Sequence, residues 1–230
     1  MCHTQELKLG GNEISDSGLT ALATAVQSGA LASLKSLSLD QCDIGEQGMS
    51  ALAKAITPNK NGKGALAQLN CLDLGCNHIG DSGVKALADA VSSGALASLK
   101  ELILVRNAIT DDGFATLMSS FKNGGKPSNL RRFSIGSGVT DKGMKEFADI
   151  LSSGALDNLK ELSLSGNQIS DPGLSALAKA ITPGPFNFGE GKLHKLKVSW
   201  RPTILSPCLE TLHVHSHDSE NLLDVPCTET

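Results

Sequence analysis

The sequence keeps restating one phrase. Leu72-Asp-Leu-Gly-Cys-Asn77-His-Ile79-Gly-Asp81-Ser-Gly83 returns, edited, as Leu7-Lys-Leu9 with Asn12, Ile14, Asp16 and Gly18, and as Leu37-Ser-Leu39 with Cys42, Ile44, Glu46 and Gly48. It returns again as Leu102-Ile-Leu104 with Asn107, Ile109, Asp111 and Gly113, and as Leu162-Ser-Leu164 with Asn167, Ile169, Asp171 and Gly173. It is weaker at Phe133-Ser-Ile135 and fades at Leu196-Lys-Val198. Measured on the second apolar position, the steps are 30, 35, 30, 31, 29 and 34 residues. A period of this length outranks every other local signal and specifies stacked units, each burying its apolar face on its neighbours.

Within a unit, Leu-x-Leu alternates with period two and predicts a short strand with its leucines turned inward, near 7–9, 37–39, 72–74, 102–104, 133–135, 162–164 and 196–198. A helix should follow. Asp16, Asp81, Asp111, Asp141 and Asp171 stand where an N-cap is needed, with Glu46 a weaker one, so the helices are expected to start just after them. Pro172 suits the first helical turn. Leu19, Leu22, Ala23 and Val26 give one apolar stripe at helical spacing. Gly29, Gly94 and Gly154 are placed to end helices in the left-handed conformation.

This strand-turn-helix plan, written here as Leu99-x-x-Leu102-x-Leu104-x-x-Asn107-x-Ile109, resembles the leucine-rich repeat. The long helix-bearing units are similar to the ribonuclease-inhibitor-like class, which includes the arrays of NOD-like receptors and Ran GTPase-activating proteins. The resemblance implies an α/β solenoid, a right-handed horseshoe with parallel strands on the concave face and helices on the convex face. It covers about seven units in residues 1–198, leaving 199–230 as an irregular cap or tail.

A second period lies over the first. Odd units end in Ser-Gly-Ala-Leu, at 28–31, 93–96 and 153–156, whereas even units end in longer connectors that should project from one edge. One of these carries Phe186 and Phe188. In the fifth unit, Ile135-Gly-Ser-Gly-Val139 is one residue short and lacks the asparagine, which predicts a local kink. The first unit has no evident polar cap, so a fragment of a longer array or an array with an atypical start is expected, and the chain itself is expected to be a monomer or part of a longer chain.

With aromatic residues at only 3% and no Tyr, the core should consist of aliphatic layers rather than ring clusters. A net charge of -4 supplies no global field for nucleic acid or an anionic membrane. The six cysteines show no framework spacing and no Asn-x-Ser/Thr sequon occurs, both pointing to a reducing, cytoplasmic setting. Cys71 and Cys76 stand about 17 Å apart if extended, beyond disulfide reach. His213, His215 and His217 alternate, but their spacing matches no closed zinc motif.

Asn12, Asn77, Asn107 and Asn167 fall at the bend, where an amide satisfies backbone groups, and Cys42 takes the same slot. No nucleophile-base pair or phosphate loop stands out, so no enzyme, cofactor or metal is expected. The leading expectation is a module that binds a protein partner through its concave face. A regulator of GTP hydrolysis is the alternative that the resemblance implies, and a purely architectural spacer is a third. The concave candidates are Asp40, Asp73, Ile103, Val105, Arg106, Arg132 and Trp200: two branched apolar side chains on a central strand with charged residues around them.

Overall fold

The computed structural model describes residues 5–58, 64–123, 129–182 and 196–199. Strands β1 (Glu6–Lys8), β2 (Ser36–Ser38), β3 (Cys71–Asp73), β4 (Glu101–Thr110), β5 (Arg132–Gly138), β6 (Glu161–Ser163) and β7 (Lys197–Ser199) form one open sheet in chain order. Every neighbouring pair is parallel. Helices α1 (Ser15–Gln27), α2 (Glu46–Ile56), α3 (Gly80–Ser92), α4 (Asp111–Asn123), α5 (Asp141–Ser152) and α6 (Asp171–Ile181) connect successive strands. The architecture is the expected α/β solenoid, strands lining the concave face and helices the convex one.

The core runs through the stack as repeated layers. Leu37, Leu39, Leu72, Leu74, Leu102, Leu104, Leu162 and Leu164 are fully buried behind the sheet, and Leu19, Val26, Leu52 and Leu87 meet them from the helices. Each such side chain contributes about 1.5–3 kcal/mol by leaving water, so the alternation that identifies a strand also holds it in place. The three odd glycines end their helices as expected, with φ of +79° at Gly29, +91° at Gly94 and +77° at Gly154. The Gly29 N–H donates to Val26 O and the Ala30 N–H to Ala25 O, the paired bonds that close a helix through a left-handed residue.

Four expectations are corrected. Strands β1 to β6 begin one residue before the first expected apolar position, because pairing starts where Lys35 and Ser36 donate to Gln5 O, and the equivalent residues follow in later units. The seventh strand is displaced the other way, running over Lys197–Ser199 rather than 196–198, with Val198 and not Leu196 opposite Leu162. Leucine marks the inward position rather than the boundary.

The acidic residues are not N-caps of their own helices. Asp81 lies inside α3, Asp111, Asp141 and Asp171 are the first residues of theirs, and Asp16 follows Ser15 in α1. Asp16, Asp81, Asp111 and Asp141 reach instead to the next unit, where Gly45, Thr110, Thr140 and Ser170 each donate a backbone N–H to the carboxylate at 2.7–2.8 Å. Thr140 is itself the N-cap of α5, accepting from the Lys142 N–H. Glu46, also the first residue of its helix, is one carbon longer and lies against Gly80.

Beyond the aliphatic layers there is one ring cluster among the described residues. Phe114, Phe121, Phe133 and Phe147 are fully buried together, with centroids of Phe114 and Phe147 5.4 Å apart and those of Phe114 and Phe133 6.4 Å apart. Phe114 and Phe121 come from α4, Phe133 from β5 and Phe147 from α5, so the rings pack across the join between the fourth and fifth units.

At the fifth unit the kink takes the form of a register shift between Val105 and Thr110, while β4 and β5 stay paired for longer than any other strands. The backbones close because Gly136 and Gly138 lack side chains: a Cβ would lie 2.0 Å from Ser165 O at the first and 2.5 Å from Ile109 O at the second.

Candidate functional site

Parallel register sets the outward side chains of the sheet in rows, with strands about 4.8 Å apart. The first row is Glu6, Ser36, Cys71, Glu101, Arg132, Glu161 and Lys197, and the second is Lys8, Ser38, Asp73, Ile103, Ser134, Ser163 and Ser199. A third row passes through Val105 and Gly136, with Gly75 and Asp40 aligned by the bonds from Cys76 N to Val105 O and from Gln41 N to Gly75 O. The rows exist only because each unit repeats its strand at the same height.

In the first row charge alternates from Glu101 through Arg132 and Glu161 to Lys197. Arg132 lies between two glutamates, its Nη1 donating to Glu101 at 2.8 Å and its Nε to Glu161 at 2.6 Å. Both bonds, that to Glu161 first, hold its pKa above the ordinary arginine value despite partial burial. Arg132 is therefore engaged in the row itself rather than held out toward solvent alone.

On the second row Ile103 is half-buried between Asp73 and Ser134. Asp73 accepts the Gly75 N–H at 2.9 Å, yet burial raises its pKa, and the nearby carboxylates of Asp40 and Glu101 add to that. Asp40 accepts from the Ser38 hydroxyl at 2.6 Å. On the third row Val105 has a glycine on each side, and a Cβ on Gly75 would touch Val105 Cγ2 at 3.3 Å and Ile103 Cγ2 at 3.7 Å. The two branched side chains thus stand over a floor made low by Gly75 and Gly136. Arg106 follows at the bend, exposed, with φ +54°. Trp200 lies outside the described residues.

The sequence-level candidates thus separate into a central group of Asp73, Ile103 and Val105, with Asp40 further along the third row, Arg132 one row below and Arg106 at the bend. Cys71, on the first row, has its thiol pKa pushed up to about 11 by burial, and by Glu101 after that. That leaves it protonated and a poor nucleophile at neutral pH. Among the described residues no group of three or more His, Cys, Asp or Glu is arranged to hold a metal ion, while His213, His215 and His217 lie outside them. No helix of the described residues is long and apolar enough to cross a membrane.

Behind the rows, the bend asparagines join units. The Asn77 carboxamide oxygen accepts from Cys42 N and Ile44 N at 3.0 Å, and its nitrogen donates to Leu39 O, Leu74 O and Gly75 O. Asn167 repeats the arrangement, accepting from Ser137 N and Val139 N, and Asn107 does so with one acceptor bond, from Ile79 N. In the short fifth unit Ser137 stands in, its hydroxyl accepting the Ile109 N–H at 3.4 Å. Cys42, buried in the second unit's slot, donates its thiol to Leu9 O and Asp40 O.

A family model described as Leucine Rich repeat matches residues 2–23, 30–53, 68–88 and 156–178, and a second model with that description matches 98–121. The matched units are leucine-rich repeats. No curated protein matches the chain at a significant level. The leucine-rich repeats account for the buried leucines and the bend asparagines; the outward rows are what distinguishes this array chemically.

Proposed function

We propose that this leucine-rich repeat array binds a protein partner through its concave face, with Ile103 and Val105 at the centre of contact. The supporting observation is the pair of branched apolar side chains set above Gly75 and Gly136, with the acidic Asp73 and Asp40 on the same rows. An apolar centre within polar surroundings is the usual anatomy of a protein-binding patch. A rigid parallel sheet also presents such a patch with little ordering cost on association.

The alternating short and long units favour the ribonuclease-inhibitor-like class, with the array extending over residues 1–198. The free thiols of Cys42 and Cys71 fit a reducing, cytoplasmic setting. The testing substitution is Ile103→Asp, with capture of binding proteins by the purified chain compared between wild type and variant. The expected result is loss of the bound partner with little change in melting midpoint, since an outward position opens no cavity. Unchanged capture would remove the concave centre from consideration.

A further inference from the structure

Immediately before the first row runs another, at the rim where each strand begins. Its members are Gln5, Lys35, Asn70, Lys100, Arg131 and Lys160, tied in order by bonds from Lys35 N to Gln5 O, Asn70 N to Lys35 O, Lys100 N to Asn70 O, Arg131 N to Lys100 O and Lys160 N to Arg131 O. The row contains no acid. Lys100, Arg131 and Lys160 occupy three consecutive units and all are exposed. Like charges at this spacing repel, because adjacent strands are about 4.8 Å apart.

The neighbouring row solves the same problem by alternating sign, but it cannot neutralise the rim. Its nearest carboxylates, Glu101 and Glu161, are held by Arg132. Among the described residues none of Lys100, Arg131 and Lys160 takes part in an ion pair. An array with net charge -4 thus carries an uncompensated cationic strip along one edge of its concave face.

We propose that Lys100, Arg131 and Lys160, with Lys35 further along the row, form a docking strip for an extended acidic segment of a protein partner. The proposal rests on the reading of the array as a protein-binding module and adds the chemistry of what it binds. Three carboxylates on alternate residues of an extended segment span about 13 Å. The three cations start from positions spanning about 10 Å, and their long side chains cover the difference. A nucleic acid fits less well, because its continuous phosphates would overlie Glu101, Glu161 and Asp73 on the adjoining rows, whereas a peptide can turn apolar or basic residues toward them.

The test uses the full chain and a fluorescein-labelled hexaglutamate peptide, read by anisotropy at low and moderate salt. Wild type should bind, more weakly as salt rises. The variant K100Q/R131Q/K160Q should bind about tenfold or more weaker. The control K54Q/K85Q/K179Q makes the same change in net charge on α2, α3 and α6 and should bind like wild type. Hexaglutamate offers no apolar side chain to Ile103 and Val105, so its binding reads the rim alone, while partner capture by Ile103→Asp reads the concave centre. Equal weakening by row and control variants would overturn the proposal. So would tighter binding of a labelled hexathymidylate than of the peptide, lost in the row variant, since the strip would then be a phosphate site.

Discussion

Both oxygens of the Asp111 carboxylate are taken by Thr140 of the following unit, one accepting its backbone N–H at 2.8 Å and the other its hydroxyl at 2.6 Å. The first oxygen also accepts the Gly143 N–H at 3.1 Å. A Cβ on Gly143 would lie 2.4 Å from that same oxygen. The aspartate of one unit therefore dictates the glycine of the next, and Asp141 repeats the relation with Ser170 and Gly173.

Gly143→Ala should accordingly destabilise the array by about 1–3 kcal/mol through overpacking. In an Asp111→Ala background the same alanine should cost less, with a coupling of at least about 0.5 kcal/mol in a double-mutant cycle from urea melts. Strict additivity would mean that the carboxylate is not what excludes the side chain.

Asp141 makes this ladder sensitive to acid. Burial pushes its pKa up, but the Ser170 hydroxyl, the Ser170 N–H and the Gly173 N–H together outweigh it and hold the carboxyl below the ordinary value. A carboxyl with a folded pKa below its unfolded one contributes stability above about pH 4 and loses that contribution as pH falls through the folded value. The stability gap between wild type and Asp141→Asn should be widest near neutrality and narrow below about pH 4. A gap that does not change with pH would show that the charge contributes nothing at this position.

Much of this was legible in the sequence, and the limits have physical causes. Leu72 and Leu74 reveal the strand because burial on one face imposes alternation, and Asn77 reveals the bend because its carboxamide offers two donor hydrogens and an acceptor oxygen at once. The partner of Asp111 was not legible locally: its position at a helix start suits a cap, but the groups it satisfies lie 29 residues away on Thr140. Ser137 was missed because a one-residue deletion moves it out of the column that Asn107 and Asn167 define. The phenylalanine cluster was hidden by a low aromatic content, which says nothing about where the rings gather. Arg132 could be placed on its row, but its two glutamates become neighbours only once register fixes Glu101 and Glu161 on either side.

The bend asparagines should differ in value according to what they leave behind. Removal of Asn77 strands the N–H groups of Cys42 and Ile44, both buried, each costing about 1–3 kcal/mol. Asn12 is exposed and, among the described residues, donates only to Leu9 O and Gly10 O. Asn77→Ala should therefore lower the urea midpoint far more than Asn12→Ala, and equal shifts would refute an inter-unit role for the amide.

Two glycines of the fifth and sixth units should respond differently to alanine, because they are required for different reasons. Gly166 has φ +80° with nothing within 4 Å of a built Cβ, so Gly166→Ala meets only left-handed backbone strain, about 1 kcal/mol. Gly136 has no such φ, but its Cβ would lie 2.0 Å from the Ser165 carbonyl oxygen, a backbone atom that cannot rotate away. Moving Ser165 would disturb the bend holding Asn167, whose carboxamide accepts from Ser137 N and Val139 N and donates to Ile135 O. Gly136→Ala should therefore cost at least about 3 kcal/mol, at the upper end of overpacking effects. Hydrogen exchange locates the damage: faster exchange at Ser137 and Val139 in Gly136→Ala, and no change there in Gly166→Ala. If the two variants melt alike, close approach of β5 to the next unit is not what the short fifth unit requires of its glycine.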